Sequence, residues 1–148
     1  MQVFLPENSF ADCAKVLDQK RLVKQLLEGR QIMTILAGGS PGGAWKNHPA
    51  VKMWKGYERF LLFYLYTIMY EWESRGFKNE KCKIHFYRLK DKIYGKKLVN
   101  LFNVKSPYWL NNIFCKSHQS NLLRKDFNYY KNFFPNVKNN LPYIWPVK

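Results

Sequence analysis

The chain has 148 residues, of which 47% are hydrophobic and 18% aromatic. This composition excludes an intrinsically disordered chain and suits one folded domain, because the apolar content can offset the entropy that folding removes. The net charge is +15, and residues 81–148 alone contribute +12, from 14 basic and 2 acidic side chains. An excess of positive charge this large attracts polyanions, so nucleic acid is the leading candidate partner.

The first predicted element is a long helix that begins after Ser9 and runs to about Leu36. The hydroxyl of Ser9 suits an N-cap, and Asp12 places a carboxylate near the positive end of the helix. Glycine and proline then predict a loop over residues 38–43, which ends this helix.

A second long helix is predicted from Pro49, which suits a first helical turn, to Gly76, a natural C-terminal cap. It contains the most apolar run of the chain, residues 60–70. This run is too short to span a bilayer, so we interpret it as a buried core helix. Trp54 and Tyr57 are expected to belong to the core rather than to stack on DNA bases.

The rest of the chain has weaker patterns. Residues 78–97 are basic with little periodicity, a loop or helix start is expected near Pro107, and residues 117–130 again suit a helix. The tail, residues 141–148, contains two prolines and is expected to be extended. These elements predict a mainly α fold, with residues 1–148 forming a single compact domain of about three main helices and long loops.

Cysteine content and the amino-terminal residues both favour an intracellular protein. Three cysteines, Cys13, Cys82 and Cys115, are too few and odd in number for a disulfide framework, which suits a reducing compartment. The sequence MQVFLPENSF lacks the basic and apolar regions of a signal peptide. We identify no basic amphipathic helix with a lipid-facing stripe in the sequence, so a membrane partner is not expected.

Arg21, Lys24 and Glu28 stand at positions i, i+3 and i+7 of the first helix and therefore share one face. One interpretation is a solvated face with an ordinary Lys24–Glu28 salt bridge. The other is a catalytic carboxylate inside a phosphate-binding stripe, because a lone acid on a DNA-facing surface weakens binding and needs another role.

Five segments, in chain order, read MQVFLPENSF, VLDQKRLVKQLLEGRQI, KNHPAVKMWKGYERFLLFY, YEWESRGF and SHQSNLLRKDFNYY. This ordered set, which covers about residues 1–130, resembles the pyrimidine-dimer DNA glycosylase family, also called the endonuclease V type. The resemblance implies a DNA repair enzyme that is both a glycosylase and an abasic-site lyase, needs no metal or cofactor, and acts on damaged or abasic double-stranded DNA.

In this family the amino-terminal amine attacks sugar C1′ of the damaged nucleotide, expels the base and forms an imine, after which elimination breaks the strand. The resemblance therefore implies that Met1 supplies the nucleophile, or Gln2 if processing removes Met1. The best-known members expose a small second residue, whereas Gln2 is bulky and favours retention of Met1. The family's catalytic carboxylate matches Glu28.

The predicted DNA contacts are basic or histidine side chains. Helix N-termini and cations both bind phosphate, so we expect DNA contacts at the start of the second helix, where lysines cluster. There, His48 is expected either to contact phosphate or sugar or to cap the helix. The resemblance makes His118 and Arg124 candidate DNA contacts or site supports, and implies a DNA contact for Trp145. The predicted DNA-binding set is Arg21, Lys24, Arg30, Lys46, His48, Lys52, Lys55, His118, Arg124 and Lys125.

The lysines and arginines between residues 81 and 105, interleaved with aromatic residues, suit a groove that follows a phosphate backbone.

Two C-x-x-H pairs offer a metal alternative: Cys82 with His85, and Cys115 with His118. Two cysteines and two histidines can bind tetrahedral zinc, but only if all four converge. We expect no metal, because the usual structural zinc patterns have different spacings.

Three functions therefore compete. The first is the glycosylase and lyase, a monomer located with the DNA: cytoplasmic in a prokaryote, or in the nucleus, a viral factory or a virion in a eukaryotic or viral setting. The second is a non-catalytic DNA-binding or DNA-packaging protein of the same fold, which Gln2 and the basic C-terminal half favour. The third is an RNA-binding or ribosome-associated protein, although no RNA-recognition motif is present.

Overall fold

The computed structural model describes residues 3–39, 43–96, 100 and 104–147. In these residues it contains seven α-helices, one 3-10 helix and no strand, so the predicted mainly α class is confirmed and the count of about three main helices is wrong. The α-helices are α1 (Phe10–Val16), α2 (Gln19–Leu36), α3 (Pro49–Lys52), α4 (Glu58–Ser74), α5 (Glu80–Tyr94), α6 (Asn112–Lys125) and α7 (Phe127–Tyr130), and the 3-10 helix is Gly43–Asn47.

The first predicted helix is divided into α1 and α2. Ser9 caps α1 as expected, since its Oγ accepts a hydrogen bond from the Asp12 amide. Leu17 and Asp18 then adopt extended backbone with ψ of 130° and 160°, which ends α1 and starts α2 in a new direction. The hydroxyl of Tyr130 donates to the Asp18 carboxylate at 2.5 Å, so a contact with α7 fixes this break.

The second predicted helix is also divided. Pro49 begins α3 as predicted, but Gly56 has φ of +84°, a left-handed conformation that interrupts the helix before α4. Gly76 has φ of +89° and follows the end of α4, as expected for a C-terminal glycine. The apolar run 60–70 lies within α4 and supplies much of the core, as predicted.

The basic middle stretch forms a helix of 15 residues, α5, although its periodicity was too weak to predict one. The predicted C-terminal helix is broken at Asp126, whose backbone leaves the helical region and whose side chain accepts from the Tyr129 amide at the start of α7. Residues 141–147 contain no helix or strand, in agreement with the predicted extended tail. Among the described residues, no helix is both long and apolar enough to cross a membrane.

Helix α4 lies at the centre of the fold and packs against α1, α2 and α5. The α2–α4 contact is close at Gly29, where an added Cβ would collide with the Leu65 side chain. Trp54 is fully buried, as the sequence suggested, and Tyr57 packs on the core beside Trp109. This packing fixes the position of α2, whose outer stripe carries Glu28.

Candidate active site

The described start of the chain, residues 3–6, is buried and is held by side chains of several elements. The Phe4 amide donates to Gln25 Oε1 of α2 at 3.0 Å. The Tyr64 hydroxyl of α4 lies 3.0 Å from the Phe4 carbonyl oxygen and 2.9 Å from Gln25 Oε1. Gln25 and Tyr64 are both almost completely buried, so these bonds form away from water and fix the backbone of Phe4.

Helix α6 and the C-terminal tail complete this arrangement. The Leu5 amide donates to His118 Nδ1 at 3.0 Å, and Gln119 Nε2 donates to the Pro6 carbonyl at 2.7 Å. From the tail, the Tyr143 hydroxyl donates to the Val3 carbonyl at 2.6 Å. The Tyr143 ring stacks on His118 with centroids 4.4 Å apart. We call these five side chains the N-terminal clamp: Gln25, Tyr64, His118, Gln119 and Tyr143.

His118 is fully buried, with 0% of its surface exposed. A direct contact between His118 and DNA, one of the two predicted roles, is therefore not compatible with this structure, and the geometry is that of a support. Burial lowers the pKa of His118 to about 3. A hydrogen bond with the Ile144 backbone raises this pKa, but by less than burial lowers it. The imidazole is thus neutral at physiological pH, which leaves Nδ1 able to accept from Leu5.

A cavity of about 130 Å³ lies beside the clamp and joins the predicted charged stripe to the start of the chain. Glu28 is its one acidic residue among four basic ones. Its lining consists of Phe4, Lys20, Arg21, Lys24, Glu28 and Lys125. The structure therefore brings Arg21, Lys24, Lys125 and Glu28 together, four of the residues singled out from the sequence.

The cations of this cavity are positioned by contacts between elements. Arg21 Nη1 forms an ion pair with Asp18 at 3.1 Å, and its Nη2 donates to the Lys125 carbonyl at 3.3 Å. Lys125 Nζ lies 5.9 Å from the centroid of the Phe4 ring, within the range of a cation–π contact. Among the described residues, Arg21 thus pairs with Asp18, the N-cap of α2, and the Lys24–Glu28 salt bridge of the first interpretation is not formed.

His48 lies near the same side of the molecule. It caps α3, because its Nδ1 accepts from the Ala50 amide at 3.1 Å. Its ring lies between Trp45 and Trp145, with centroid distances of 5.4 and 5.6 Å. Burial lowers the pKa of His48, and the Glu28 carboxylate is close enough to act in the opposite direction. Because Nδ1 of the neutral His48 ring accepts a hydrogen bond, the ring proton is on Nε2, and this N–H can donate to another group.

The remaining predicted DNA contacts lie outside the cavity. Lys46, Lys52 and Lys55 are exposed around α3. Arg30 instead borders the junction of α2 with α5. Arg124 Nη1 donates to the carbonyls of Asn139 and Leu141 at 2.9 and 2.8 Å, so it anchors the tail. The two proposed nucleophile positions, Met1 and Gln2, lie outside the described residues.

The four candidate zinc ligands do not converge. Cys82 and His85 border the α2–α5 junction, whereas Cys115 and His118 lie on α6 against the start of the chain. In the part of the chain that the structure describes, no group of three or more histidine, cysteine, aspartate and glutamate side chains can hold a metal ion.

Four members of the clamp were not predicted from the sequence: Gln25, Tyr64, Gln119 and Tyr143. Gln25 carried one usable signal, since it is a polar residue between the core positions Leu22 and Leu26 of an amphipathic helix. A buried amide in such a place needs hydrogen-bond partners. Tyr143 had no local signal, because its partner Val3 is 140 residues away in sequence.

Comparison with known proteins identifies the family. The family model of the pyrimidine dimer DNA glycosylases matches residues 1–85, which include Gln25, Glu28, His48 and Tyr64. Searches of curated proteins and of solved structures found no match. The match covers more than half of the chain and supports a DNA repair glycosylase-like function. The chain belongs to the pyrimidine dimer DNA glycosylase family.

Proposed function

We propose that this protein is a DNA glycosylase and abasic-site lyase whose amino-terminal amine forms an imine with sugar C1′. The observation that carries the proposal is the N-terminal clamp beside the cavity that contains Glu28. Two residues separate the amine of Met1 from Val3, so chain geometry keeps that amine within about 7 Å of the Val3 nitrogen. An amine tethered so close to a clamped backbone is confined to the neighbourhood of the cavity.

The α-amine suits this chemistry better than lysine does. Its reference pKa is about 7.7–8.0, against about 10.4 for lysine, so a usable fraction is unprotonated at neutral pH. Nearby cations would lower that pKa further. We propose Met1 as the nucleophile, because the bulk of Gln2 favours retention of the initiator methionine and a freed glutamine can cyclise.

The proposed reaction has four steps. The amine nitrogen forms a bond to C1′ while the bond to the base breaks, and the departing base takes that electron pair and receives a proton. The nitrogen loses a proton and its lone pair forms the C=N bond of the imine, while the C1′–O4′ bond breaks and O4′ takes that electron pair and receives the proton. Removal of a proton from C2′ then expels the 3′ phosphate, and water hydrolyses the imine to release the amine.

Glu28 is the proposed catalytic carboxylate. An anion beside C1′ stabilises the positive charge that develops on the sugar as the base departs. The same carboxylate can then accept and return protons during ring opening and elimination. The surrounding Lys20, Arg21, Lys24 and Lys125 would bind phosphates on either side of the extruded nucleotide, which such an enzyme must take out of the stack.

The remaining properties follow from this mechanism. Residues 1–148 would act as one DNA-binding domain, because the clamp draws on both ends of the chain. A monomer suffices for a single lesion, and the amine needs no metal or cofactor. The protein would work wherever the DNA is kept inside the cell or, for a viral protein, in the viral factory or virion.

The test uses borohydride, which reduces an imine to a stable covalent complex. The protein is incubated with a duplex that carries one abasic site and with one that carries a thymine dimer. We expect a trapped complex with both duplexes, and its loss when the amino terminus is acetylated. Binding of both duplexes without trapping or cleavage would reject the lyase mechanism.

The alternative is a non-catalytic DNA-binding or DNA-packaging protein of the same family fold. Gln2 at the second position and the +12 charge of residues 81–148 favour it. It predicts duplex binding that is insensitive to Glu28→Gln and no cleavage of either damaged duplex. The trapping experiment therefore separates the two functions.

A further inference from the structure

Helix α5 carries its basic side chains on two different flanks. On one flank, Lys83 forms an ion pair with Glu73 at the end of α4, at 2.6 Å. Lys90, on the same flank, pairs with Asp91 at 2.8 Å. Phe86, between them, contacts Tyr66 of α4. This flank therefore faces α4, and its charges are balanced by carboxylates.

The other flank carries Lys81, Arg88 and Lys92. These residues are spaced by seven and four positions, which places them in one stripe of the helix. All three are exposed, and none takes part in an ion pair among the described residues. Three uncompensated cations in a region of net charge +12 repel one another, so the stripe lowers folding stability unless an anion binds it.

The position of this stripe connects it with the candidate site. Leu27 and Arg30 of α2 border Cys82 and His85 of α5. His85 shares a helix face with Lys81 and Arg88, which lie four residues before it and three residues after it, so this face of α5 lies beside α2. On α2, Leu27 and Arg30 border this face through His85, and the Leu27 side chain is 49% exposed. Arg30 of α2 therefore lies next to the helix face that carries the α5 stripe.

We propose that Lys81, Arg88 and Lys92 form a second phosphate-binding surface, which holds undamaged duplex DNA beside the lesion. This proposal rests on the proposed function, since it takes duplex DNA as the partner. Lys81 and Lys92 are eleven positions apart, about 16 Å at 1.5 Å per residue, which equals the axial rise of about five phosphates of one strand. Arg88 and Lys92 lie beyond the residues that match the family model, so the surface extends binding past the matched part of the chain.

The test measures binding to an undamaged duplex at several salt concentrations, which requires no catalysis. The triple variant Lys81→Gln, Arg88→Gln, Lys92→Gln is compared with a control of equal charge change, Lys15→Gln, Lys131→Gln, Lys138→Gln. All six side chains are exposed, and glutamine preserves helix propensity. Circular dichroism verifies that both variants are folded.

We expect the α5 variant to lower the slope of log affinity against log salt by about 2–3 and the control to change it by less than 1. Equal slopes in the two variants would overturn the proposal, as would a wild-type protein that does not bind duplex. A loss of binding to single-stranded RNA without any loss for duplex DNA would overturn it as well. Failure of borohydride trapping alone would reject the lyase mechanism and leave this binding result intact.

Discussion

The start of the chain and helix α5 are built in opposite ways. Residues 3–6 are buried and fixed by hydrogen bonds from α2, α4, α6 and the tail, each with a defined donor and acceptor. Helix α5 has a single fully buried side chain, Phe86, and presents exposed cations to solvent. The difference matches two demands, since a nucleophile needs a fixed position whereas phosphate binding needs mainly charge.

This contrast has a consequence for mutagenesis. Substitutions at the start of the chain should change the rate of the chemical step, because they move the reacting groups. Substitutions on the exposed basic surfaces should change affinity and its salt dependence and leave the rate at saturating DNA nearly unaltered. Variants at Glu28, Tyr143 and Lys24 test this division.

The largest effect is expected for Glu28→Gln. Loss of the carboxylate should reduce cleavage of an abasic duplex by about 10²–10⁴-fold, the range for a general acid–base group. Binding of the same duplex should be kept or slightly tightened, because a negative charge leaves a basic cavity. Single-turnover cleavage measures the rate and a filter assay the affinity. Asp12→Asn, an exposed carboxylate of α1, is the control, and an equal loss in both variants would contradict the role of Glu28.

Tyr143→Phe should come next. The variant removes the hydrogen bond to the Val3 carbonyl and loosens the start of the chain. We expect cleavage at saturating DNA to fall by about tenfold or more, because displacement of a reacting group by about 1 Å can reduce a rate by 10². The KM for DNA should change little. Tyr108→Phe, at a tyrosine that is 77% exposed, is the matched control. A rise in KM without loss of kcat would show that Tyr143 acts in DNA binding instead.

His118 should make stability sensitive to acid. Its folded pKa is about 3, whereas an unfolded histidine titrates near 6.5, so the unfolded chain binds more protons between these values. The unfolding free energy should therefore fall as the pH drops from about 6.5 towards 3, by up to about 1.4 kcal/mol per pH unit.

His118→Asn keeps an acceptor for the Leu5 amide but does not titrate in this range. Urea unfolding at pH 7, 6, 5 and 4 should give a flatter pH dependence for this variant than for the wild type. His85→Asn, at a half-buried histidine of α5, is the control. Identical slopes for the wild type and His118→Asn would show that His118 is not the acid-sensitive group.

The smallest effect is expected for Lys24→Gln. This residue is an exposed cation at the rim of the cavity, so its loss should weaken duplex binding by several-fold and lower the salt slope by about 1. Cleavage at saturating DNA should stay within about twofold of wild type. Fluorescence anisotropy over a salt series measures both quantities, with Lys15→Gln as the control. A large loss of rate would place Lys24 in the chemistry and break the division proposed above.

Two features of the structure could be predicted from the spacing of residues that are close together in the chain. The helical spacing of Arg21, Lys24 and Glu28 predicted one shared stripe, and the structure places all three on one cavity. The His-Pro sequence at residues 48 and 49 indicated a helix start, and His48 does cap α3. Both features depend on residues close together in the chain.

Features that depend on distant partners could not be predicted. The break at Leu17 and Asp18 is fixed by Tyr130, more than 100 residues away. The sequence left two roles open for His118, DNA contact or site support, because nothing near it in sequence shows that the amide of Leu5, 113 residues earlier, donates to its Nδ1. Helix α5 was missed because its inner face is short and interrupted by lysines, so packing against α2 and α4 decides its conformation.

The most direct test of the account is to locate the covalent bond. An abasic duplex is trapped with borohydride, the complex is digested, and the modified peptide is sequenced by mass spectrometry. We predict that the reduced sugar is attached to the α-amine of the first residue, Met1 or a processed Gln2. Attachment to a lysine side chain, such as Lys24 or Lys125 of the cavity, would contradict it, and the N-terminal clamp would then serve the fold rather than the reaction.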